Sequence, residues 1–161
     1  DLAVYTKSNT LDQCIIDADV FIGVSGANLL KESHLLSMAA NPIIFALANP
    51  DPEILPSDAH QIRDDIVMAT GRSDFPNQVN NVLGFPFLFR GALDAKATEI
   101  NDKMLIAASK ALASLTKEPV PQDVLEAYGL KSLTFGPEYI IPKPFDSRLI
   151  DWVAKAVQNA A

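Results

Sequence analysis

Three short apolar runs, separated by segments with a helical pattern, limit the folds open to this chain. The runs are DVFIGV at residues 19–24, PIIFALA at residues 42–48 and IVMATG at residues 66–71. Each is rich in branched or aromatic side chains and is bounded by turn residues, which is typical of strands buried on both faces. Residues 28–40 and 57–63, which lie between the runs, predict helices. Strand and helix in alternation predict a parallel sheet with crossover connections.

The fold class is therefore α/β, a partial Rossmann-type parallel sheet with covering helices and a helical carboxyl-terminal extension. The extension begins with an apolar segment at residues 82–89. A long alanine-rich helix is then predicted over residues 101–116, because its apolar side chains recur at three- and four-residue steps (Met104, Leu105, Ala108, Leu112, Leu115). Shorter helical patterns cover residues 122–128 and 148–159. We expect this extension to pack back on the sheet.

Composition excludes several kinds of partner. The chain has 161 residues and a formal net charge of -7, with no run of Lys and Arg that would attract a nucleic acid or an anionic membrane. It also contains no apolar stretch of spanning length and no secretory leader. Cys14 is the single cysteine, which excludes an intramolecular disulfide and makes a cytoplasmic location the expectation. Because the sequence opens at Asp1 rather than Met, we expect upstream sequence to be missing.

The residues that follow each apolar run are candidates for ligand binding, since open α/β sheets bind ligands beyond the carboxyl ends of their strands. They are SGAN at residues 25–28, NPDP at residues 49–52 and GRSD at residues 71–74. The Asn49 amide could hold a ribose hydroxyl, a nicotinamide amide or a substrate carboxylate. Alternatively, Asn49-Pro50 only turns the chain, and the two interpretations have equal weight.

Further polar residues are also candidates for ligand binding. Asn80 and Asn81 either bind a polar ligand or cap a helix, and their residue types alone slightly favour capping. The Ser25-Gly26 pair would let a cofactor approach the backbone closely. Lys143, between two prolines, either holds an anion or is a solvated loop charge.

Charged groups elsewhere are predicted to have structural roles. Arg72 and Asp74 are expected to pair with each other. His34 and His60 are expected on helix surfaces, and no Cys/His or paired-carboxylate spacing indicates a metal site. A solvated acidic face explains the acidic cluster (Asp51, Glu53, Asp64, Asp65) at least as well as a bound cation does. Motifs for a nucleophilic serine, a Walker-type phosphate loop and a glycine-rich dinucleotide loop are absent from the sequence.

Longer motifs carry a family resemblance. These are FALANPDPEI at residues 45–54, ATGRSDFPNQVNNVLGFP at residues 69–86, FLFRGALD at residues 87–94 and YIIPKPFD at residues 139–146. Together they resemble the malic enzyme family, in particular its short bacterial type, including members fused to a phosphotransacetylase-like domain. The resemblance spans nearly the whole chain.

The resemblance implies oxidative decarboxylation of (S)-malate to pyruvate and CO₂ with NAD or NADP and Mg²⁺ or Mn²⁺. It implies substrate contacts at Asn49, Asn80 and Asn81, of which Asn81 is the more direct. It implies a cofactor border at Val24, Ser25, Gly26 and Asn49. The family's tyrosine acid, lysine base, metal-binding carboxylates and glycine-rich loop have no counterpart after Asp1, so no catalytic or metal-binding residue is assigned here. The preference between NAD and NADP stays open.

Residues 1–161 are accordingly expected to be the carboxyl-terminal part of a malic enzyme NAD(P)-binding domain, inactive alone. Its partners would be malate or pyruvate and the missing amino-terminal part of the same protein, within a homo-oligomer. Two alternatives remain: another Rossmann dehydrogenase with asparagines at its strand ends, or a noncatalytic oligomerisation or regulatory Rossmann-like module acting through the alanine-rich helix.

Overall fold

A computed structural model describes residues 4–161, which divide into two compact units, residues 4–75 and 76–161. Asp1, on which the expectation of missing upstream sequence depends, lies outside the described residues. Along the part of the chain that the structure describes, no helix is both long and apolar enough to cross a membrane.

The first unit contains three strands and three short helices. In chain order they are α1 (Leu11–Cys14), β1 (Val20–Gly23), α2 (Glu32–Ser37), β2 (Ile43–Ala46), α3 (Pro56–Ile62) and β3 (Val67–Thr70). The second unit is helical. It contains a 3₁₀ helix (Asn81–Leu83), α4 (Phe85–Asp94), α5 (Asp102–Leu115), α6 (Gln122–Ala127) and α7 (Leu149–Ala160).

The three strands form a parallel sheet in the order β1-β2-β3, which confirms the α/β prediction. In the register, Gly23 lies beside Ala46, and Ala46 lies beside Thr70. The strands therefore end at the same level, and the three following loops leave from one edge of the sheet.

Only one face of this sheet is well covered. Ile44 and Met68 point to the same side and join a core with Leu35 of α2 and Ala59 of α3. The prediction that all strands are buried on both faces is wrong for β1, where Val20 is 49% and Ile22 is 64% exposed. The reason is that both helices contribute to the core on the same side of the sheet.

The helix predicted over residues 28–40 is shorter than expected, because both of its ends are tied to other segments. At its start, the Asn28 and Leu30 N–H groups donate to the carbonyls of Pro52 and Glu53 at 3.1 and 3.0 Å. At its end, the Ala39 N–H donates to the Ala18 carbonyl at 3.1 Å. These bonds hold the flanking residues outside the helix, which leaves α2 as six residues.

His34 is buried, so its predicted place on a helix surface is wrong, whereas His60 is exposed as predicted. The His34 Nδ1 accepts from the Lys31 backbone N–H at 3.2 Å, and Nε2 lies 2.7 Å from Asp12 Oδ1. Hydrogen bonding to His34 lowers the pKa of the Asp12 carboxyl. The histidine therefore connects α1 to the start of α2.

Asp65 is likewise engaged rather than part of a solvated acidic face. Its carboxylate accepts from Arg63 at 2.7 Å through each oxygen and from the Asn41 N–H at 2.8 Å. The same guanidinium donates to the carbonyls of Leu35 and Ala39 at 2.6 and 3.0 Å. These bonds fasten the end of α2 close to the beginning of β2, at the amino edge of the sheet.

The second unit is built around its three longer helices, α4, α5 and α7. Their buried side chains form one cluster (Leu88, Ala92, Met104, Ala108, Ala111, Leu115, Val153, Val157). The prediction of a core helix is confirmed for most of α5, but Leu105 is 45% exposed. The apolar segment at residues 82–89 comprises the end of the 3₁₀ helix and the first half of α4. Packing of this helical extension on the sheet stays a prediction.

Gly91 lies in the contact between α4 and α7, where a substitution can test the packing. A Cβ atom on Gly91 would lie 2.5 Å from the Ala154 carbonyl oxygen and 2.6 Å from Val157 Cβ. We predict that Gly91→Ala lowers the free energy of unfolding by about 1–3 kcal/mol, because overpacking outweighs the better helix propensity of alanine. Urea unfolding would measure this. Gly84→Ala is the matched control, since a Cβ there has its nearest neighbour at 4.0 Å; equal stability of the two variants would contradict the prediction.

The Arg63–Asp65 pair gives a pH dependence of defined sign. Hydrogen bonding to Arg63, and then to the Asn41 N–H, lowers the pKa of the Asp65 carboxyl below its ordinary value. A depressed carboxyl pKa stabilises the folded state above the unfolded pKa, and this stabilisation is lost as the pH falls below about 4. We predict that Asp65→Asn lowers Tm at pH 7 and that its difference from the unmodified protein shrinks between pH 4 and pH 2. A difference that grows in acid would refute the assignment.

Candidate functional site at the carboxyl edge of the sheet

The loop after β1 is open to solvent. Val24 is 78% exposed, and Ser25 is also exposed. A Cβ placed on Gly26 would have no atom within 4 Å, so the space beside Gly26 is open. The loop therefore offers accessible backbone at the end of a parallel strand, as a flat ligand would require.

Glu53 lies directly behind this loop and is fully buried, at 0% exposure. Its Oε1 accepts from the Ser25 N–H at 3.0 Å and from Ser25 Oγ at 3.4 Å, while Oε2 accepts from the Ala48 N–H at 3.1 Å. The prediction of a solvated acidic face is thus wrong for Glu53 as well. One buried carboxylate joins the loop after β1 to the loop after β2.

Asn49 follows directly after this anchored position. It is exposed and is joined to Pro50 by a cis peptide bond. Within residues 4–161 its side-chain amide makes no hydrogen bond, so the amide does not stabilise the turn itself. The chain turns at Asn49-Pro50, as the structural interpretation predicted. The Asn49 amide is nevertheless available to a ligand, as the binding interpretation requires.

Arg72 connects the second and third loops. It donates to Asp74 through Nε at 2.9 Å and Nη2 at 2.7 Å, which confirms the predicted pair. It also approaches Asp51 at 3.6 Å and lies 5.5 Å from the centroid of the Phe75 ring. Hydrogen bonding to Arg72 lowers the pKa of the Asp74 carboxyl. All three strand-end loops are therefore linked by charged side chains.

In the second unit, Asn80 and Asn81 have different roles. The Asn80 Oδ1 accepts from the Val82 N–H at 3.0 Å, so this side chain caps the 3₁₀ helix as the structural interpretation predicted. Asn81 is exposed, and its amide has no hydrogen-bond partner among the described residues. Asn81 is therefore the member of the pair with an unused amide.

These two residues line a groove of about 280 Å³ in the second unit. Most of the lining is apolar and comes from the start of α4 and from α5, including Phe85, Leu88 and Leu105. The remaining polar side chain, Ser109, donates to the Leu105 carbonyl at 3.0 Å. The asparagine amides are consequently the polar groups that the groove presents.

Sequence reasoning missed the neighbouring Asn77, which is buried and adopts a positive φ of 55°. Its Nδ2 donates to the Pro137 carbonyl at 2.6 Å, and its Oδ1 accepts from the Ile140 N–H at 2.9 Å. It therefore fixes the loop that leads to Asn80 and Asn81. The motif SDFPNQVNN contained this residue, but nothing in the local pattern distinguished it from a turn asparagine.

Lys143 and the acidic side chains were the other candidates for ion binding. Lys143 is half-buried, with Nζ 5.3 Å from the centroid of the Tyr128 ring, and burial lowers its pKa. It is therefore not a freely solvated loop charge, and its binding of an anion stays a prediction. Across the described part of the chain, no group of three or more His, Cys, Asp or Glu side chains could hold a metal ion.

Comparison with known proteins identifies the family. The family model for the malic enzyme NAD-binding domain matches residues 5–127. The chain is 57% identical over 159 residues to the NADP-dependent malic enzyme of Halomonas elongata and 58% identical over 159 residues to that of Rhizobium meliloti. Both alignments cover 99% of the chain. The crystal structure of the NAD-dependent malic enzyme from Thermotoga maritima superposes with a TM-score of 0.79 at 39% identity, covering 95% of the chain.

The chain spans only part of each of these proteins. It corresponds to 38% of the Halomonas enzyme, 21% of the Rhizobium enzyme and 36% of the Thermotoga chain. The match nevertheless includes the sheet, its strand-end loops and the asparagine pair. This chain therefore belongs to the malic enzyme family, within the region that carries the NAD-binding domain.

Proposed function

We propose that this chain is the carboxyl-terminal part of the NAD(P)-binding domain of an enzyme that converts (S)-malate to pyruvate and CO₂. The observation that carries the proposal is that Asn49 and Asn81, both implied by the family resemblance to contact malate, are exposed and have no hydrogen-bond partner among the described residues. Unused amides at strand-end and helix-start positions are suited to a ligand rich in carboxylate and hydroxyl oxygens.

The cofactor would border the loop after β1. Its exposed backbone at Val24, Ser25 and Gly26, with open space around Gly26, supports the approach of a flat nicotinamide ring. When bound, the cofactor supplies the hydride acceptor of the oxidation. The chain's own contribution is orientation, because Asn49 would hold the ring or the substrate beside it through hydrogen bonds.

Malate would be contacted by Asn81, with Asn80 held by its capping bond as a secondary contact. An amide N–H donates to a carboxylate oxygen and thereby positions the substrate without adding charge. Orientation of this kind lowers the barrier by holding the reacting atoms in a productive geometry.

The described residues do not fit the divalent metal, since no cluster of ligating side chains occurs among them. The metal ligands, the acid and the base would come from other parts of the full-length enzyme. The uncovered face of β1 supports a role within a longer polypeptide, because parallel sheets are normally covered on both faces.

Three finer points belong to the same proposal. Similar proteins named as NADP-dependent and as NAD-dependent both match the chain well, so either cofactor is compatible with it. An exposed free thiol at Cys14 suits the reducing cytoplasm. A homo-oligomer is the expected assembly.

We predict that Asn81→Ala in the full-length enzyme lowers kcat/KM for malate about ten- to a hundredfold. A hydrogen bond to a charged group contributes about 1.5–3 kcal/mol, and most of that would be lost. Malate-dependent reduction of NAD and of NADP, followed at 340 nm, would measure the effect.

Asn159→Ala is the matched control, because this asparagine is also exposed but lies on α7. The control should keep the original kinetic constants. Unchanged kcat/KM in Asn81→Ala would contradict the substrate role, and absence of malate-dependent turnover in the unmodified enzyme would contradict the proposed function as a whole.

A further inference from the structure

The carboxyl edge of the sheet contains a buried acidic group that neither the resemblance nor the proposed chemistry uses. Glu53 is 0% exposed, and among residues 4–161 no ion pair involves it. Placing a carboxylate in the protein interior is costly unless hydrogen bonds replace its water. Here both oxygens accept, and two of the three donors are backbone N–H groups. The buried carboxylate therefore has hydrogen bonds to both of its oxygens at the edge of the sheet where a ligand would bind.

The donors belong to two different loops. Ser25 is two residues beyond the end of β1, and Ala48 is two residues beyond the end of β2. The Glu53 backbone carbonyl adds a third connection by accepting from the Leu30 N–H at 3.0 Å. The bond to Ala48 fixes the peptide immediately before Asn49, and the bond to Ser25 fixes the middle of the proposed cofactor border. One side chain thus sets the spacing between the two groups that would contact cofactor and substrate.

The end of β1 is shaped to admit this carboxylate. A Cβ atom on Gly23 would overlap both Oε1 and Cδ of Glu53 and would lie 2.7 Å from the Phe21 ring. The backbone of Gly23 does not require glycine through a positive φ, since no such value occurs there. The absent side chain is needed for space, which makes Gly23 and Glu53 a matched pair.

We propose that Glu53 is a positioning residue, which holds the loops after β1 and β2 so that Ser25 and Asn49 meet the cofactor and malate in a fixed geometry. This inference rests on the proposed function. Glu53 touches neither ligand and acts through the backbone N–H groups that it binds. Misplacement of reacting groups by about 1 Å lowers catalytic rates by about a hundredfold, so loosening either loop has a kinetic consequence.

The test uses Glu53→Gln in the full-length enzyme. Glutamine has the same shape but replaces one acceptor oxygen with an NH₂ donor, which would face either the Ser25 or the Ala48 N–H and release that loop. We expect kcat/KM for malate to fall about ten- to a hundredfold, with an increased KM. A purely structural role would reduce the amount of folded enzyme and hence kcat, but it would leave KM unchanged.

Asp65→Asn is the matched control, because it removes a hydrogen-bonded carboxylate from the opposite edge of the same sheet. It should lower Tm and leave both kinetic constants within twofold. Gly23→Ala is the second variant, since it displaces the carboxylate without changing Glu53, and it should reproduce the increased KM.

The outcomes separate this inference from the proposed function. If the unmodified enzyme is active and Asn81→Ala is impaired, but Glu53→Gln and Gly23→Ala keep the KM of Asp65→Asn, then only the positioning role is overturned. If neither Glu53→Gln nor Gly23→Ala folds while Asp65→Asn does, Glu53 is a folding determinant and the inference is also overturned. Absence of malate-dependent turnover in the unmodified enzyme would overturn the proposed function itself.

Discussion

The buried carboxylate of Glu53 is the interaction on which the candidate site depends. A carboxylate at 0% exposure with no cation paired to it, among the described residues, requires donors in fixed positions. The N–H groups of Ser25 and Ala48 meet that requirement at 3.0 and 3.1 Å. The cost of leaving such a group unsatisfied strongly favours this arrangement of the two loops.

The two edges of the sheet are stabilised by charged groups of different kinds. At the amino edge, Arg63 and Asp65 form a two-point ion pair that also satisfies carbonyls at the end of α2. At the carboxyl edge, Glu53 uses backbone donors, and Arg72 joins Asp51 and Asp74 near the surface. Ion pairs therefore occur at both edges, and at the carboxyl edge the Asn49 amide has no hydrogen-bond partner among residues 4–161. This division is compatible with the proposed ligand-binding role of the carboxyl edge, which would need a fixed backbone and accessible side chains.

The two asparagines at positions 80 and 81 show how adjacent residues of one type can have different roles. Asn80 uses its oxygen to cap the 3₁₀ helix, and that bond orients the following peptide. Asn81 is the first residue of the helix, and its amide has no hydrogen-bond partner in the part of the chain that the structure describes. Asn77, a few residues earlier, uses both ends of its amide within the second unit. Capping is therefore confirmed for Asn80, whereas ligand binding by Asn81 stays a prediction.

The sequence by itself determined the sheet, the helices α3, α5, α6 and α7, and the family, whereas α4 was predicted only as an apolar segment. Apolar runs of strand length, rich in branched side chains, predicted β1, β2 and β3 to within two residues at either end. This was possible because the patterns that distinguish a strand from a helix are formed by residues close together in the chain. The sequence also predicted the Arg72–Asp74 pair, because these two residues are close together in the chain. Only the tertiary structure decided that Glu53 is buried, that His34 contacts Asp12 and that β1 is open on one face. Those facts depend on contacts between segments that are far apart in the chain, such as Ser25 and Glu53. The burial of a side chain in such a contact is determined by the segments that pack over it and not by its own residue type.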